Sequence, residues 1–417
     1  MLQTRQLLIK ISSKCFRTNR IDIHDKAGLT STFNFDPSPE TQATIEMARN
    51  FTRDHIIPKA SPLDQSGEYP LEIMKKAHSL GLMNFFIPPQ YGGSGLSYVD
   101  SLLVHEELSY GCTGVSATLG LSSLSGSALL SYGSEDQRKK YFQKFIEKPT
   151  VAAFCITESN AGSDVGAIRT RADRNSAGAW TINGEKAWIT NAGYADWFFV
   201  LARTDPNAKP SGALTAFIVD KDTPGIKVGR KEDNLGQRCA DTRSVSFEDV
   251  RVSDSAVLGG VGNGFKITMG SFDYQRPILA INAVGLARRA MEESIKYASQ
   301  RIVFQQPIAK QQAIQFKLAE MAIGIETARL AALKAAWCHM KGEQNTLIAA
   351  IAKCLAADTA NKAATEAVQI FGGCGYSKDY PVEKLLRDAK IFQIYGGTCE
   401  IQRIIIAREV IKNSRDR

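Results

Sequence analysis

Apolar residues recur at helical spacing from about residue 36 to residue 150. Ser38 precedes the first of these runs as a candidate N-cap, and in SEDQRKKYFQKFI the spacing of Ser134 and Gln137 is that of a capping box. The runs PLEIMKKAHSLGL and YVDSLLVHEELSYG continue the same pattern. The pattern predicts a helical N-terminal region.

From about residue 151 to residue 264 the period changes from that of a helix to that of a strand. DWFFVLART, ALTAFIVDK and RSVSFEDVRV are short β-like runs separated by turn residues. In WTINGEKAWI the alternation surrounds Asn183-Gly184, which predicts a hairpin with a type I′ turn. We expect a barrel-like β domain here.

The last third of the chain returns to helical spacing, with longer apolar faces. Three runs of about thirty residues and a shorter final one predict a four-helix bundle. The expected fold class is therefore α+β in three domains: helices over 35–150, a β domain over 151–264 and a helical bundle over 265–417. Residues 1–34 are expected to stand outside these domains.

The charge of the chain is concentrated at its start. The net charge is +8, and the first twenty residues supply five of these charges and contain no acid. A basic, Ser-containing, acid-free start predicts a mitochondrial transit peptide and a matrix location; the alternative is a disordered basic tail. Without this segment no basic stripe suggests nucleic acid, and no apolar run reaches the length of a membrane span.

Cysteine and histidine patterns give no metal motif. The eight cysteines include no CxxC pair, and the five histidines lack ligand spacing. We expect free thiols in a reducing compartment and no metal site.

Glycine-rich turns and small polar loops supply the candidate chemistry. In IFQIYGGTCEIQR a glycine pair can bring bare N–H groups close to a ligand, and Thr398 can cap the helix that follows; an ordinary interhelix turn would read the same way. FCITESNAGSDVG offers donors for a flat ring or a phosphate, or is a plain loop. WITNAG offers an aromatic plate, or a buried core Trp.

A guanidinium and two further features bear on nucleotide binding. Arg301 in RIVFQQPI can fork onto a pyrophosphate, or can be a solvated helix end. FGGCGY is another glycine turn at the end of a helix. Neither a GxGxxG after a strand nor a P-loop is present, so any nucleotide is bound by another architecture.

Several motifs in a fixed order resemble those of one enzyme family. They are ITESNAGSDVG, WITNAG, GQRCADTR, FDYQRP, RIVF, QIFGG, YPVEKLLRDAKIFQIY and GGTCEIQRIIIARE. Over residues 35–413 the chain resembles the acyl-CoA dehydrogenases, and within them most of all the mitochondrial medium-chain members. The resemblance implies FAD held between the β domain and the bundle, a homotetramer, fatty acyl-CoA as substrate and electron-transfer flavoprotein as electron acceptor.

The resemblance also assigns site residues by position. Expected FAD contacts are Phe154, Cys155, Ile156, Thr157, Gly162, Ser163, Trp188, Ile189, Thr190, Arg301, Phe304, Gln311, Gln312, Gln369, Ile370, Phe371, Gly372, Gly373, Thr398, Cys399 and Glu400, partly across a subunit boundary. Expected acyl-CoA contacts are Ser163, Asp273, Arg276 and Gly397.

The implied reaction is α,β-dehydrogenation of a fatty acyl thioester in mitochondrial β-oxidation, for which a carboxylate removes the α-proton. In most of the family the turn reads Tyr-Glu-Gly-Thr, but here the base position is Gly396. Other relatives take the base from the residue before the Arg of FDYQRP, which here is Gln275. Glycine has no side chain to act as a base, and the amide of Gln275 does not titrate. The expectation is an acyl-CoA dehydrogenase, with the alternative of an impaired paralogue that binds FAD and acyl-CoA without efficient turnover.

Three further positions depart from the family pattern. Val303 stands where Thr is usual and Gln305 where Gly is usual, both beside the expected FAD contact Phe304. Gly120 stands where the medium-chain members have a Glu near the bottom of the acyl pocket.

Overall fold

Residues 37–415 are described by a computed structural model, and they begin with helices, as the apolar spacing predicts. The expected transit peptide lies outside the described residues. The Ser134–Gln137 capping box is present, with both of its hydrogen bonds formed. The N-terminal helices are α1 Pro39–Phe51, followed by a π-helical turn Thr52–Ile56, α2 Ile57–Ser66, α3 Leu71–Ser79, α4 Tyr98–Gly111, α5 Thr113–Gly120, α6 Ser122–Tyr132 and α7 Glu135–Glu147.

The middle of the chain forms a single mixed sheet. Its strands pair in the order β6-β7-β3-β2-β4-β5-β8, with β1 added parallel to β4. A four-residue helix, α8 Pro210–Ala213, precedes β5. The strands are β1 Val151–Cys155, β2 Arg171–Arg174, β3 Trp180–Thr190, β4 Ala195–Arg203, β5 Leu214–Asp220, β6 Ile226–Lys231, β7 Thr242–Val252 and β8 Val257–Leu258.

Strand β4 shows why both faces of this sheet are covered. Trp197, Phe199 and Leu201 join the core that includes Phe142 of α7. The alternate residues of the same strand join a second core on the opposite face of the sheet. Successive side chains of a strand point to opposite faces of the sheet. One face of this sheet therefore packs against the N-terminal helices.

The predicted hairpin at Asn183-Gly184 is wrong. β3 runs without a turn from Trp180 to Thr190; it pairs with β7 on both sides of Gly184 and with β2 before Gly184. The pairing with β7 shifts register at this point, as at a bulge. A Cβ atom on Gly184 would lie 2.6 Å from the Cα atom of Thr170, so glycine serves a close backbone approach there.

Four long helices and one short helix complete the chain, and the predicted four-helix bundle is confirmed. Buried alanines of α11, such as Ala356, Ala360 and Ala364, line the central core and allow close helix packing. A small hairpin of β9 Ile302–Val303 and β10 Gln306–Pro307 follows the first long helix. The helices are α9 Gly264–Gln300, α10 Gln312–Met340, α11 Thr346–Phe371, α12 Val382–Ala389 and α13 Cys399–Arg415.

The described residues from Pro39 to Arg415 group into one compact unit. The buried carboxylate of Glu106 in α4 pairs with Arg288 of α9 at 2.8 Å and with Arg329 of α10 at 2.6 Å, and so ties the N-terminal helices to the bundle. No helix within residues 37–415 is long and apolar enough to cross a membrane.

Candidate active site

Two glycines shape the turn that precedes α13. Gly396 and Gly397 have φ angles of 64° and 85°, a left-handed conformation that glycine adopts without strain. The Thr398 hydroxyl accepts a hydrogen bond from the Ile401 N–H at 3.2 Å, so it caps the helix as predicted. Among the described residues, neither glycine N–H group has an acceptor. The turn therefore presents bare N–H groups to a ligand.

The carbonyl groups of the same turn are fully engaged. The Gln402 Nε2 group donates to the carbonyl oxygens of Gly396 and Gly397 at 3.1 and 3.0 Å. Lys353 of α11 donates to the Gly397 carbonyl at 2.7 Å. These bonds fix the turn against the bundle.

Two buried cations lie close to this turn. Lys353 is buried, and its desolvation, together with the nearby charge of Arg276, lowers its pKa to about 8. Burial also lowers the pKa of Arg276, which forms an ion pair with Asp273. Asp273 accepts a further hydrogen bond from the Thr346 hydroxyl at 2.8 Å. The two expected acyl-CoA contacts on α9 are thus paired with each other.

The two expected base positions hold no carboxylate, and both are enclosed by protein. A Cβ atom on Gly396 would lie 2.3 Å from Cδ1 of Leu279, a buried residue of α9. Gln275, one helical turn earlier, is 2 % exposed, and its Oε1 atom lies 2.6 Å from the Ser123 hydroxyl. Its Nε2 atom has no partner among the described residues.

Glu400 is the carboxylate that follows the turn most closely in sequence. It lies on the first turn of α13, where its own N–H group and the Thr398 side chain lower its pKa. A carboxylate stabilised as an anion is a weak proton acceptor, whereas a catalytic base needs a pKa near the working pH.

The two predicted ring-binding stretches lie side by side. The Thr157 carbonyl accepts from the Ala187 N–H at 2.8 Å. Lys186, fully buried in β3, donates to the Ile156 carbonyl at 3.1 Å and to the Glu158 carboxylate at 2.9 Å. Strand β3 therefore positions the loop that follows β1, and these contacts join the residues 154–163 to residues 188–190.

The side chains of these stretches divide into exposed and buried ones. Trp188 is 61 % exposed with a φ of 60°, so it is not a core tryptophan. Ser163 and Gly162 are also exposed. Cys155, Ile156 and Ile189 are buried in the sheet cores, and their side chains point away from solvent; they offer a ligand only backbone groups. Burial raises the pKa of the Cys155 thiol to about 12.

A second group of predicted residues lies at the far end of α9. Arg301 follows that helix, and Phe371 at the end of α11 stacks on Tyr297 at 4.1 Å. Arg301 is roughly 40 Å from Gln275 along the helix, at about 1.5 Å per residue. Within one chain the structure therefore does not bring Arg301, Phe304, Gln311, Gln312 and residues 369–373 to the Gly396 turn.

The residues at the far end of α9, around Phe304 and Gly372, form a surface that a ligand can reach. Phe304 is 87 % exposed and has a φ of 50°. A Cβ atom on Gly372 or Gly373 would meet no atom within 4 Å. Open backbone of this kind allows a diphosphate to approach closely.

A Cys–Asp cluster lies behind the turn, where the sequence predicts no metal site. Ligand atoms of Cys354, Asp358 and Cys399 lie within 4.8 Å of one another. The Arg403 guanidinium binds the Asp358 carboxylate at 2.6 Å, and its charge opposes a cation there. The seven described cysteines are free thiols.

Sequence reasoning missed Leu279, Lys353 and Ser123. The position of Lys353 among the alanines of α11 is an available signal, because an unpaired cation is rarely placed on a buried face. Nothing in the sequence distinguishes Leu279 from other core leucines.

Models of one family match each part of the chain. The N-terminal, middle and C-terminal domains of acyl-CoA dehydrogenase match residues 38–148, 153–250 and 262–411. The chain is similar to the probable medium-chain specific acyl-CoA dehydrogenase 2, mitochondrial, of Caenorhabditis briggsae, with 46% identity over 95% of this chain and 97% of the relative.

Solved structures show the same architecture. Butyryl-CoA dehydrogenase from Megasphaera elsdenii matches with a TM-score of 0.88 and 39% identity, over 91% of this chain and all of the other. A chain from a structure of the electron transferring flavoprotein of Acidaminococcus fermentans matches with a TM-score of 0.87 and 36% identity, over 91% and 99% of the two chains.

The chain belongs to the acyl-CoA dehydrogenase family. Family membership makes it a flavin-dependent oxidoreductase with FAD as cofactor. The exposed Trp188 and the open backbone of Gly372 and Gly373 fit that cofactor, since one offers a plate for a flat ring and the other room for a diphosphate.

Proposed function

We propose that this protein dehydrogenates medium-chain fatty acyl-CoA to the trans-2-enoyl-CoA in mitochondrial β-oxidation, in the matrix, and passes electrons to electron-transfer flavoprotein. The name of the C. briggsae relative supports the chain length and the compartment. The A. fermentans match supports the electron acceptor.

The observation that carries the proposed reaction is the pair of free N–H groups at Gly396 and Gly397. Donors aimed at a thioester oxygen polarise the carbonyl and stabilise the enolate that forms when the α-proton leaves. Lys353, which donates to the Gly397 carbonyl, adds positive charge beside the turn. Bound FAD supplies the acceptor for the β-hydrogen, as hydride.

We place the ring of the cofactor beside Trp188, with residues 154–163 and Thr398 to Glu400 around it. Arg301, Phe304, Gln311, Gln312 and Gln369 to Gly373 would hold the adenosine-diphosphate half from a neighbouring subunit. The roughly 40 Å along α9 between the two groups supports this division. Exposed apolar side chains near the far group, including Ile302, Phe304 and Phe316, support subunit contacts and a homotetramer.

A second candidate is an impaired paralogue that binds FAD and acyl-CoA without efficient turnover. Leu279 favours it, because its side chain fills the place where a side chain on Gly396 would begin. A positioned general base typically contributes about 10²–10⁴-fold to the rate. The first candidate therefore predicts slow removal of the α-proton, with water as the acceptor, and the second predicts no measurable removal.

One anaerobic experiment separates the two candidates. FAD-loaded protein is mixed with octanoyl-CoA, the visible flavin absorbance is followed, and the thioester is then analysed by mass spectrometry. Bleaching with formation of octenoyl-CoA is the expected result. A bound complex that stays yellow, with octanoyl-CoA recovered unchanged, overturns the dehydrogenase and supports the paralogue.

A further inference from the structure

The amide of Gln275 has one polar atom without a partner, in a place where a partner is required. The side chain is 2 % exposed, and Ser123 is the only hydrogen-bond partner of its amide among the described residues. A buried polar atom left unsatisfied is costly, and native structures contain few of them. A ligand group that completes this amide would recover that cost.

The orientation of the amide specifies what the ligand group must do. The Ser123 hydroxyl lies 2.6 Å from both the Gln275 Oε1 atom and the Gly120 carbonyl oxygen, but it has one proton to donate. If it donates to Gln275, the amide NH₂ group lacks an acceptor. If it donates to Gly120, the amide turns so that its NH₂ group faces Ser123, and the amide oxygen lacks a donor. A hydroxyl group satisfies either arrangement, since it both donates and accepts.

Further polar groups continue inward from Gln275. Ser123 contacts the Gly120 carbonyl, and a Cβ atom on Gly120 would lie 2.9 Å from Cε1 of His105. His105 is buried, its desolvation lowers its pKa to about 4, and its Nδ1 atom has no partner among the described residues. Helices α4, α5, α6 and α9 thus enclose a line of neutral polar groups with an unsatisfied atom at each end.

This line begins beside the active-site turn. Gln275 and Leu279 are four residues apart and so share one face of α9, and Leu279 is the residue that meets Gly396. The rise between them is about 6 Å. An acyl chain whose thioester is held at the glycine N–H groups would therefore begin within about one helical turn of Gln275.

We propose that the protein binds hydroxyacyl-CoA thioesters more tightly than plain acyl-CoA thioesters, with the chain hydroxyl bound to the Gln275 amide. This rests on the proposed function, because it requires the thioester at the Gly396 turn. A plain alkyl chain leaves the amide and His105 unsatisfied, whereas a hydroxyl on the chain completes the amide.

Binding measurements test this without depending on turnover. The FAD-loaded protein is titrated calorimetrically with octanoyl-CoA and with its 3-hydroxy, 5-hydroxy and 7-hydroxy derivatives. At least one hydroxy derivative is expected to bind about tenfold more tightly than octanoyl-CoA. Binding of octanoyl-CoA with no hydroxy derivative tighter overturns the hydroxyl site and leaves the proposed function standing. Binding of none of the four overturns the proposed function as well.

Two variants locate the effect. Gln275→Leu removes the amide, and the preference for the hydroxy derivative is expected to fall to within about twofold of parity. Gln143→Leu changes an exposed glutamine of α7 whose side-chain hydrogen bond within the described residues goes to Glu147, and this variant is expected to keep the preference. A preference for the hydroxy derivative that survives in Gln275→Leu overturns the assignment of the site to Gln275. If that variant does not fold, the comparison of octanoyl-CoA with its hydroxy derivatives in the native protein still tests the proposal.

Discussion

The Leu279 side chain occupies the space beside Gly396. A Cβ atom on Gly396 would lie 2.3 Å from Cδ1 of Leu279, which is closer than two non-bonded carbon atoms approach. Helix α9 and the turn before α13 are therefore packed together at the point where most of the family carries its base. Gly396 carries no carboxylate, and the Leu279 side chain fills the volume that a side chain on Gly396 would need. A side chain on Gly396 therefore requires the Leu279 side chain to shift or to be shortened, and it must also adopt the left-handed φ of 64°.

Gln275→Glu places a carboxylate at the second base position of the family. The site is buried, so desolvation is expected to raise the pKa of the new Glu toward neutrality, which suits a general base. We expect about tenfold faster flavin reduction by octanoyl-CoA, measured by anaerobic stopped-flow. Gln275→Leu is the control and should show no gain. An unchanged rate in Gln275→Glu, with the variant folded and FAD bound, would show that this position does not face the α-carbon.

Gln305→Gly should stabilise the protein. Phe304 and Gln305 form a two-residue hairpin turn with φ angles of 50° and 66°, which cost a side-chain-bearing residue more than they cost glycine. We expect a gain of about 1 kcal/mol in the free energy of unfolding, measured by urea denaturation. The neighbouring change Gln306→Gly, within β10, should give no gain. A loss of stability in Gln305→Gly would contradict the strained turn.

Glu158→Gln should destabilise the protein at the loop that follows β1, within residues 154–163, and the size of the effect should depend on pH. Burial alone would raise the pKa of Glu158, but Lys186 and the N–H groups of Arg169 and Thr170 hold it below its usual range. Its stabilising contribution is therefore present at neutral pH and is lost as the pH falls below about 4. We expect a deficit of about 3 kcal/mol at pH 7, because Lys186 is left buried without its partner, and a smaller deficit in acid.

Thermal unfolding of Glu158→Gln and the native protein from pH 7 to pH 3.5 measures this difference. Glu72→Gln, which removes an exposed pair with Lys75, is the matched control and should cost less than about 0.5 kcal/mol. A deficit in Glu158→Gln that is the same at every pH would contradict the ion pair as its cause.

The helical and β regions could be predicted because their periodicity is long and regular. The Ser134 cap and the Thr398 cap are local signals, and both are confirmed. The turn at Phe304-Gln305 could not be predicted, since it lacks the glycine that such a turn favours. Asn183-Gly184 gave the opposite error, because Gly184 needs space beside Thr170, which precedes β2 and comes close only when β2 pairs with β3.

The candidate site was predictable in its parts but not in its arrangement. Motif order identified the glycine turn and the flavin-side stretches, whereas the packing of Leu279 on Gly396 depends on helices distant in sequence. The separation of Arg301 and Phe304 from the turn follows from the length of α9, which fixes distance once the helix is known to be continuous. The pairing of Gln275 with Ser123 likewise required the packing of α6 against α9.

The most direct test of the account is the rate of flavin reduction by octanoyl-CoA in Gly396→Glu combined with Leu279→Val, measured anaerobically beside the native protein. Valine has no δ-carbon, so it vacates the volume that the glutamate needs. The account predicts that the double variant reduces its flavin about 10²–10⁴-fold faster than the native protein. Gly396→Glu alone should gain less, and Leu279→Val alone should gain nothing. Equal rates in the double variant and the native protein, at equal FAD content, would contradict the claim that the scaffold lacks only its base.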